Sequence, residues 1–471
     1  MRLLASIALG GLAACSTAPP TLLPPPFGPD VNKPSQAQLF WPTGMAIDAT
    51  GEWLLVANGN FDHAYDAGAV YALPVSTLVA LQGDQPFDPL WVPNERAAVV
   101  GNYSGPLVFD STGTTAYTGA RDTNRLHGVT VAADGKLSCR VGTASAPGPD
   151  CRSGIIDLNA VAHLEGPYGI AAGSLVPIGA TASVPAIFVA ALIPHVDEIV
   201  SGLAFSSAPV VGLNEADPSQ LLFSALATDR VNGNGIGAGP IVFDDLRRQV
   251  VLGGCYTRYP NVTQAGDPSS AKCIGGTGNS LLRFVDVDAG SASASRIYDM
   301  GGQLRSNDYT GLALADLAPG ASSRTLYVTA RNPDILAQVE LPVDPGLAPF
   351  ARRIDVLPGS PGTILRVRRP AGNTGPEILA VAAGLLPTNL LPGQLNATIQ
   401  IVQPAAGQVV VTQVEGLGDS AYALAQVPPR PGDTAAHIFV SIFGSCRIAL
   451  VDVPYDQPWM SSLRARIGTC P

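Results

Sequence analysis

Charge is scarce in this sequence. Asp, Glu, Lys and Arg supply only 14% of its 471 residues, and the formal balance is -10. No Lys/Arg cluster interrupts that acidity, which opposes docking on a phosphate backbone and argues against nucleic acid as a partner. Histidine is also rare, five in all, and none stands at ligand spacing from a cysteine, nor are any two cysteines spaced C-x-x-C; a zinc site is therefore disfavoured. The chain has no G-x-S-x-G elbow, no H-E-x-x-H, no P-loop and no Rossmann fingerprint, so these chemistries lack their sequence marks. The glycine-rich run from Gly233 to Gly239 is followed by no helical pattern and reads as a loop entering a strand. Residues 170–194 carry no charge, but Pro177, Gly179, Thr181, Ser183 and Pro185 divide them, giving two buried strands and a turn rather than a membrane span.

What is abundant is glycine (51), proline (42) and hydrophobic residues (46%), a composition that suits many short buried strands joined by turns and leaves little for helix. The chain opens MRLLASIALGGLAAC: one basic residue, an apolar run, then small residues up to a cysteine. That is an export signal. Leu12-Ala13-Ala14-Cys15 resembles the lipobox of bacterial lipoproteins, which implies cleavage after residue 14 and acylation of Cys15; Ser16 after it implies sorting to the outer membrane. Residues 15–36 are polar and proline-rich and read as a tether, about 60 Å long at roughly 3.1 Å per residue. Residues 37–471 are then the folded domain, held by a lipid anchor.

Six cysteines remain after Cys15, an even number in an exported chain, which reads as disulfides. They fall in three near pairs, Cys139 with Cys151, Cys255 with Cys273, and Cys446 with Cys470. Through the folded domain a pattern recurs: a small-residue start, a short apolar strand, a turn with Asp/Gly, a second strand ending in Ala, Val or Gly, a polar loop and a third strand. Copies begin near Trp41, Ser104, Gly166, Ala238, Tyr309, Gly362 and Asp419, each followed by a further candidate strand. Seven units of four strands predict an all-β chain folded as a β-propeller of seven four-stranded blades.

The phrase GMAIDATGEWLLVANGNFD and its echoes VFDSTGTTAYTGARDTN and LYVTARNPD resemble the YVTN-type repeat of lactonase-like seven-bladed propellers. In such blades the loop leading into the first strand and the loop between strands two and three open on one face. That geometry nominates Trp41, Tyr103, Tyr168, His63, Asp308 and Asp419, and above all Arg121, Asp122, Asn124, His195, Asp197, Arg331 and Asp334, as ligand-binding residues. An arginine presents a planar fork of donors to an anion, though pairing of Arg121 and Arg331 with the neighbouring acids stands beside that reading. Asn58, Asn60, Asp62 and Asp66 offer oxygen ligands for a divalent cation such as calcium, but are also ordinary turn formers. Two longer loops, residues 256–278 and 385–396, flank this face.

Two functions fit. The first is a lipid-anchored envelope module that binds or scaffolds an envelope protein, a glycan or a peptide. The second, implied by the resemblance, is a lactonase-like hydrolase with a polar, metal-assisted central site.

Overall fold

Local turn chemistry builds each unit. Asp48 Oδ1 accepts from the Glu52 and Trp53 amides at 2.9 and 2.8 Å, while Gly51 supplies a φ of 74° that an L side chain resists. Asp110 closes the second copy likewise, accepting from the Thr114 and Thr115 amides at 3.1 and 3.3 Å. Asp244 closes the fourth by accepting from Leu246 and Arg247 amides, both at 3.0 Å.

In a computed structural model, residues 22–27, 37–141, 143–145, 148–193, 195–200, 203–207, 209–226, 228–229, 234–258, 272–273, 281–288, 296–299, 301–304, 308–331, 333–384, 397–405 and 409–469 are described. They form a seven-bladed β-propeller of antiparallel meanders. Blade 1 is Pro42–Ile47, Trp53–Asn58, Gly68–Pro74 and Ala97–Val100; blade 2 is Val108–Phe109, Thr115–Ala120, Arg125–Val131 and Leu137–Cys139. Blade 3 is Glu165–Leu175, Val184–Ile193, Pro209–Asn214 and Leu221–Leu226; blade 4 is Asn234–Asp244, Gln249–Arg258, Leu281–Asp286 and Arg296–Asp299. Blade 5 is Asp308–Leu314, Ser323–Arg331, Ile335–Pro342 and Phe350–Val356; blade 6 is Pro361–Arg366, Leu379–Ala383, Thr398–Val402 and Val410–Val414. Blade 7 is Ala421–Gln426, Ala435–Ile442, Arg447–Pro454 and Ser462–Ile467.

The core explains why the second strands read as unbroken apolar runs. Among the described residues, buried hydrophobic side chains fall into seven clusters, and each lies in the seam between two neighbouring blades, including the one between blades 7 and 1. A blade therefore buries both faces of its sheet, as in Trp53–Asn58, where every residue is buried. Alternation survives only at outer strands such as Phe350–Val356.

The small-residue start of each copy has a steric cause. Near the axis the blades converge, and a Cβ on Gly44 would lie 2.3 Å from the Gly105 carbonyl oxygen of blade 2. Equivalent Cβ atoms on Gly169 and Gly311 would lie 2.7 Å from the carbonyls of Gly239 and Gly362 in the next blades. Backbone thus meets backbone where a side chain has no room.

Every blade draws its four strands from one stretch of chain, so closure needs another device. A short strand, Gly83–Gln85, from the connection inside blade 1 pairs in parallel with the outer strand of blade 7, Ala465 opposite Gly83. Residues 22–27, within the expected tether, add to the seam: Phe27 is 2% exposed in its core, and the Tyr71 hydroxyl donates to the Pro25 carbonyl. Cys15 and the rest of the tether lie outside the described residues.

Blade 3 departs from expectation. Its third strand is Pro209–Asn214, and between it and the second strand the chain inserts an extra hairpin, His195–Val200 with Leu203–Ser207. The disulfide between Cys139 and Cys151 is present. Cys446 is disulfide-bonded too, while Cys470, its expected partner, lies outside the described residues. Cys255 and Cys273 sit on paired strands, with Thr257 opposite Cys273. The loop at 385–396 and most of that at 256–278 fall outside the described residues.

Candidate functional site

The inner strands carry a register shift at the same height. It falls at Thr43 in blade 1, Tyr168 in blade 3, Thr310 in blade 5, Gly362-Thr363 in blade 6 and Tyr422-Ala423 in blade 7. A bulge re-aims its side chain and bends the strand. The threonines use this to lace neighbours: Thr43 donates to the Ser104 carbonyl at 2.6 Å, Thr310 to that of Pro361 at 2.7 Å and Thr363 to that of Tyr422 at 2.6 Å. The tyrosines reach further. Tyr168 of blade 3 and Tyr422 of blade 7 join hydroxyl to hydroxyl across the mouth of the axis.

Around that pair the loops gather an aromatic rim. Phe443, from the loop between strands two and three of blade 7, packs against Trp41 at 4.8 Å, Phe61 at 5.0 Å and Tyr422 at 5.9 Å between ring centres. Phe61 meets Tyr103 edge-on at 4.9 Å, and His63 Nε2 is hydrogen-bonded to the Tyr103 hydroxyl. The rings are half-buried, with His63 exposed. Three of these residues hold left-handed backbone, Trp41 and His63 at φ 54° and Tyr103 at φ 52°, a conformation that costs a bulky L residue about 1 to 2 kcal/mol. Strain of this kind concentrates at functional loops.

Arg121 is seated in the rim. Its guanidinium lies 5.1 Å from the centre of Phe61, 5.5 Å from Tyr103 and 5.9 Å from Tyr168. Its Nε donates to the Tyr103 carbonyl at 3.4 Å, and it makes no ion pair among the described residues. Burial pushes the Tyr168 and Tyr422 hydroxyls above the usual tyrosine range, against the pull of Arg121 and Arg331, whose charges both reach them. Two guanidinium charges thus act on a pair of hydroxyls that burial keeps neutral.

The other sequence-predicted residues separate into local roles. Asp122 does not pair with Arg121: its Oδ2 accepts from the Asn102 amide at 3.1 Å, and burial raises its carboxyl above the ordinary range although the residue as a whole is exposed. Asn124 Oδ1 accepts from the Gly166 amide at 2.8 Å, and Asp334 Oδ2 from the Ser360 amide at 2.7 Å, so both position the loops leading into the next blade. His195 and Asp197 lie on the extra hairpin of blade 3; their side chains are outside the described residues.

In the nominated cation loop, Asn58 Oδ1 accepts from the Phe40 amide at 3.1 Å and Asn60 Oδ1 from the Tyr65 amide at 3.1 Å. Asn60 Nδ2 donates to the Asn102 side chain at 2.7 Å. Asp62 caps the Ala64 amide at 3.2 Å, and Asp66 is paired with Arg152 at 3.2 Å. Among the described residues no three His, Cys, Asp or Glu side chains are grouped to hold a metal ion. Sequence reasoning missed Phe61, Tyr422 and Phe443. For Tyr422 a signal existed: DSAYALA places its tyrosine where GPYGIAA places Tyr168.

No protein-family model matches the chain, and no curated protein matches it. Solved structures are similar at the level of fold. Kuenenia stuttgartiensis hydrazine synthase aligns over 90% of this chain and 99% of its own at 9% identity and a TM-score of 0.47. A Lactobacillus plantarum protein aligns over 83% and 89% at 11% identity and 0.43. The Pseudomonas aeruginosa periplasmic gluconolactonase aligns over 80% and 86% at 13% identity and 0.42.

Proposed function

We propose that the chain is an outer-membrane lipoprotein, anchored through Cys15, whose propeller is a non-catalytic binding module that takes a carboxylate carried by an envelope peptide or glycan at the mouth of its axis. The observation that carries this reading is Arg121, set within 6 Å of the centres of three aromatic rings and in no ion pair among the described residues. Beyond the Nε that donates to the Tyr103 carbonyl, the guanidinium keeps its terminal N–H groups for a planar, bidentate partner. The rim gives the rest of the ligand an apolar surface, and cation–π contact holds the arginine in place, worth about 0.5 to 2 kcal/mol.

The test is calorimetric titration of the detergent-solubilised protein with short peptides bearing free or amidated C-termini, and with oligogalacturonate. Carboxylate ligands bind and their amides do not; Arg121→Ala weakens binding roughly tenfold to a hundredfold, the cost of a charged hydrogen bond, and Arg121→Lys fails to restore it. Equal binding of amidated peptides, or indifference to Arg121→Ala, refutes the proposal. The hydrolase reading keeps one observation in its favour, the Asp122 carboxyl raised by burial beside Arg121, as a general base requires. It predicts lactone turnover that Asp122→Asn abolishes.

A further inference from the structure

On the opposite face, at the seam of blades 1 and 7, the turns leave a cleft of about 650 Å³, a size usual for small-ligand sites. Its floor is apolar, made of Val75, Val427 and Pro428 with the edge of Trp53. Its polar wall comes from Glu52, Arg430, Asp433 and His437.

The histidine is held in one orientation. His437 stands opposite Asp452 on the neighbouring strand, and its Nδ1 donates to Asp452 Oδ1 at 2.8 Å. The other oxygen of Asp452 accepts from Arg464 Nε at 2.7 Å, and Arg464 is tied in turn to the Val79 carbonyl at 2.9 Å. A carboxylate on Nδ1 fixes the tautomer and leaves Nε2 as an acceptor. That atom makes no hydrogen bond among the described residues. Asp433 has one oxygen occupied by the Arg430 amide at 2.7 Å; among the described residues its second oxygen and the guanidinium of the exposed Arg430 make no hydrogen bond or ion pair.

The wall thus presents three acceptors, Glu52, Asp433 and His437 Nε2, against one cationic donor, above a surface of methyl groups and rings. A carboxylate or phosphate would meet two carboxylates for one guanidinium and is disfavoured. A cation finds no three-ligand cluster. Many hydroxyl donors on a carbon frame satisfy both halves of the cleft. We propose that this cleft is a second ligand site, distinct from the mouth, for a short neutral oligosaccharide, with His437 Nε2 accepting from a sugar hydroxyl and Asp452 and Arg464 positioning the ring.

The experiment is titration of the solubilised protein with maltotriose, xylotriose and chitotriose, with trigalacturonate as the charged comparison. At least one neutral trisaccharide binds with one-to-one stoichiometry, and Arg430→Ala, a surface change that threatens no core packing, weakens it about tenfold. Long-range proton–nitrogen spectra of protein labelled at histidine show the Nε2 resonance of His437 moving on binding, and Asp452→Asn, which alters the tautomer, reduces affinity without Arg430 being touched. No binding of any neutral trisaccharide at millimolar concentration overturns the proposal. So does binding that leaves the His437 resonance still, or preference for trigalacturonate abolished by Arg121→Ala, which would assign the sugar to the mouth.

Discussion

Replacing Gly44 by alanine tests whether the propeller is closed by backbone meeting backbone. The new Cβ would stand 2.3 Å from the Gly105 oxygen, 3.0 Å from the Leu107 nitrogen and 3.1 Å from the Pro106 carbonyl carbon. A carbon and a carbonyl oxygen normally approach to about 3.3 to 3.6 Å, so blades 1 and 2 must part by about 1 Å at the axis. All three obstacles are main chain, and no rotamer relieves them. Overpacking of this sort costs about 3 kcal/mol, offset by about 0.4 to 1 kcal/mol from the stiffer unfolded chain, for a net loss of about 2 kcal/mol. Thermal melting reads this poorly, because a folded unit of about 430 residues unfolds with roughly 0.9 kcal/mol/K of entropy and shifts by only about 2 °C; the urea transition is the better assay. Gly105→Ala is the matched control. It lies in the same seam, but its Cβ would meet nothing nearer than Tyr168 Cδ2 at 3.4 Å, so its stability stays within about 0.5 kcal/mol of the parent. Equal behaviour of the two variants refutes the steric argument.

The buried His127 supplies a pH dependence: burial lowers its pKa to about 4, so below the ordinary histidine value the unfolded chain takes up a proton that the folded chain refuses. Stability attributable to it is full above about pH 6.5 and falls as the pH drops toward 4, by on the order of 3 kcal/mol; His127→Gln removes that part of the slope in urea titrations, and an unchanged slope refutes the assignment. Opening the Cys139–Cys151 bond, which spans 12 residues, by a paired substitution to serine lowers stability by about 2 to 3 kcal/mol; no change in the urea midpoint means that the loop is held by other contacts such as the Arg152 pairing. Cys15→Ala moves the exported protein from the membrane fraction to the soluble one, and continued sedimentation with membranes sinks the lipid anchor.

The fold was legible because each level of the sequence pointed the same way. Asp48, Asp110 and Asp244 recur at the end of the inner strand, the first two accepting from amides four and five residues on and the third from amides two and three on, and glycines recur where neighbouring blades touch. The strand that seals the ring was not legible: Gly83–Gln85 carries no apolar pattern, and besides its backbone pairing it is held by the Asp84 carboxylate accepting from Arg466 of the blade 7 strand, a contact between residues nearly four hundred positions apart that nothing local announces. The extra hairpin of blade 3 misled for the opposite reason, since His195–Val200 follows the second strand where a third strand is expected and carries Val196, Ile199 and Val200, yet among the described residues it pairs with its own return, Leu203–Ser207. At the mouth, Arg121 could be nominated from the repeat, but its freedom from Asp122 could not, because sequence proximity says nothing about the Asn102 amide that takes the carboxylate instead.

The deeper reason that the site eludes the sequence lies in the bulges. A bulged position recurs on the inner strands of blades 1, 3, 4, 5, 6 and 7, and a threonine there donates to the next blade's carbonyl, as Thr43, Thr310 and Thr363 do. A tyrosine at the same position has its hydroxyl too far from its ring's base to make that local bond, so it is delivered over the axis. Tyr168 and Tyr422 occupy two blades separated by two others along the shorter way around the ring, and their hydroxyls meet. One choice at a repeated position therefore decides whether a blade seals its neighbour or furnishes the mouth. Among the described residues, Phe443, Trp41, Phe61, Tyr103 and Arg121 of blades 7, 1 and 2 close around the side on which the tyrosines cross. The seals between blades and the tyrosines of the mouth thus come from equivalent bulged positions.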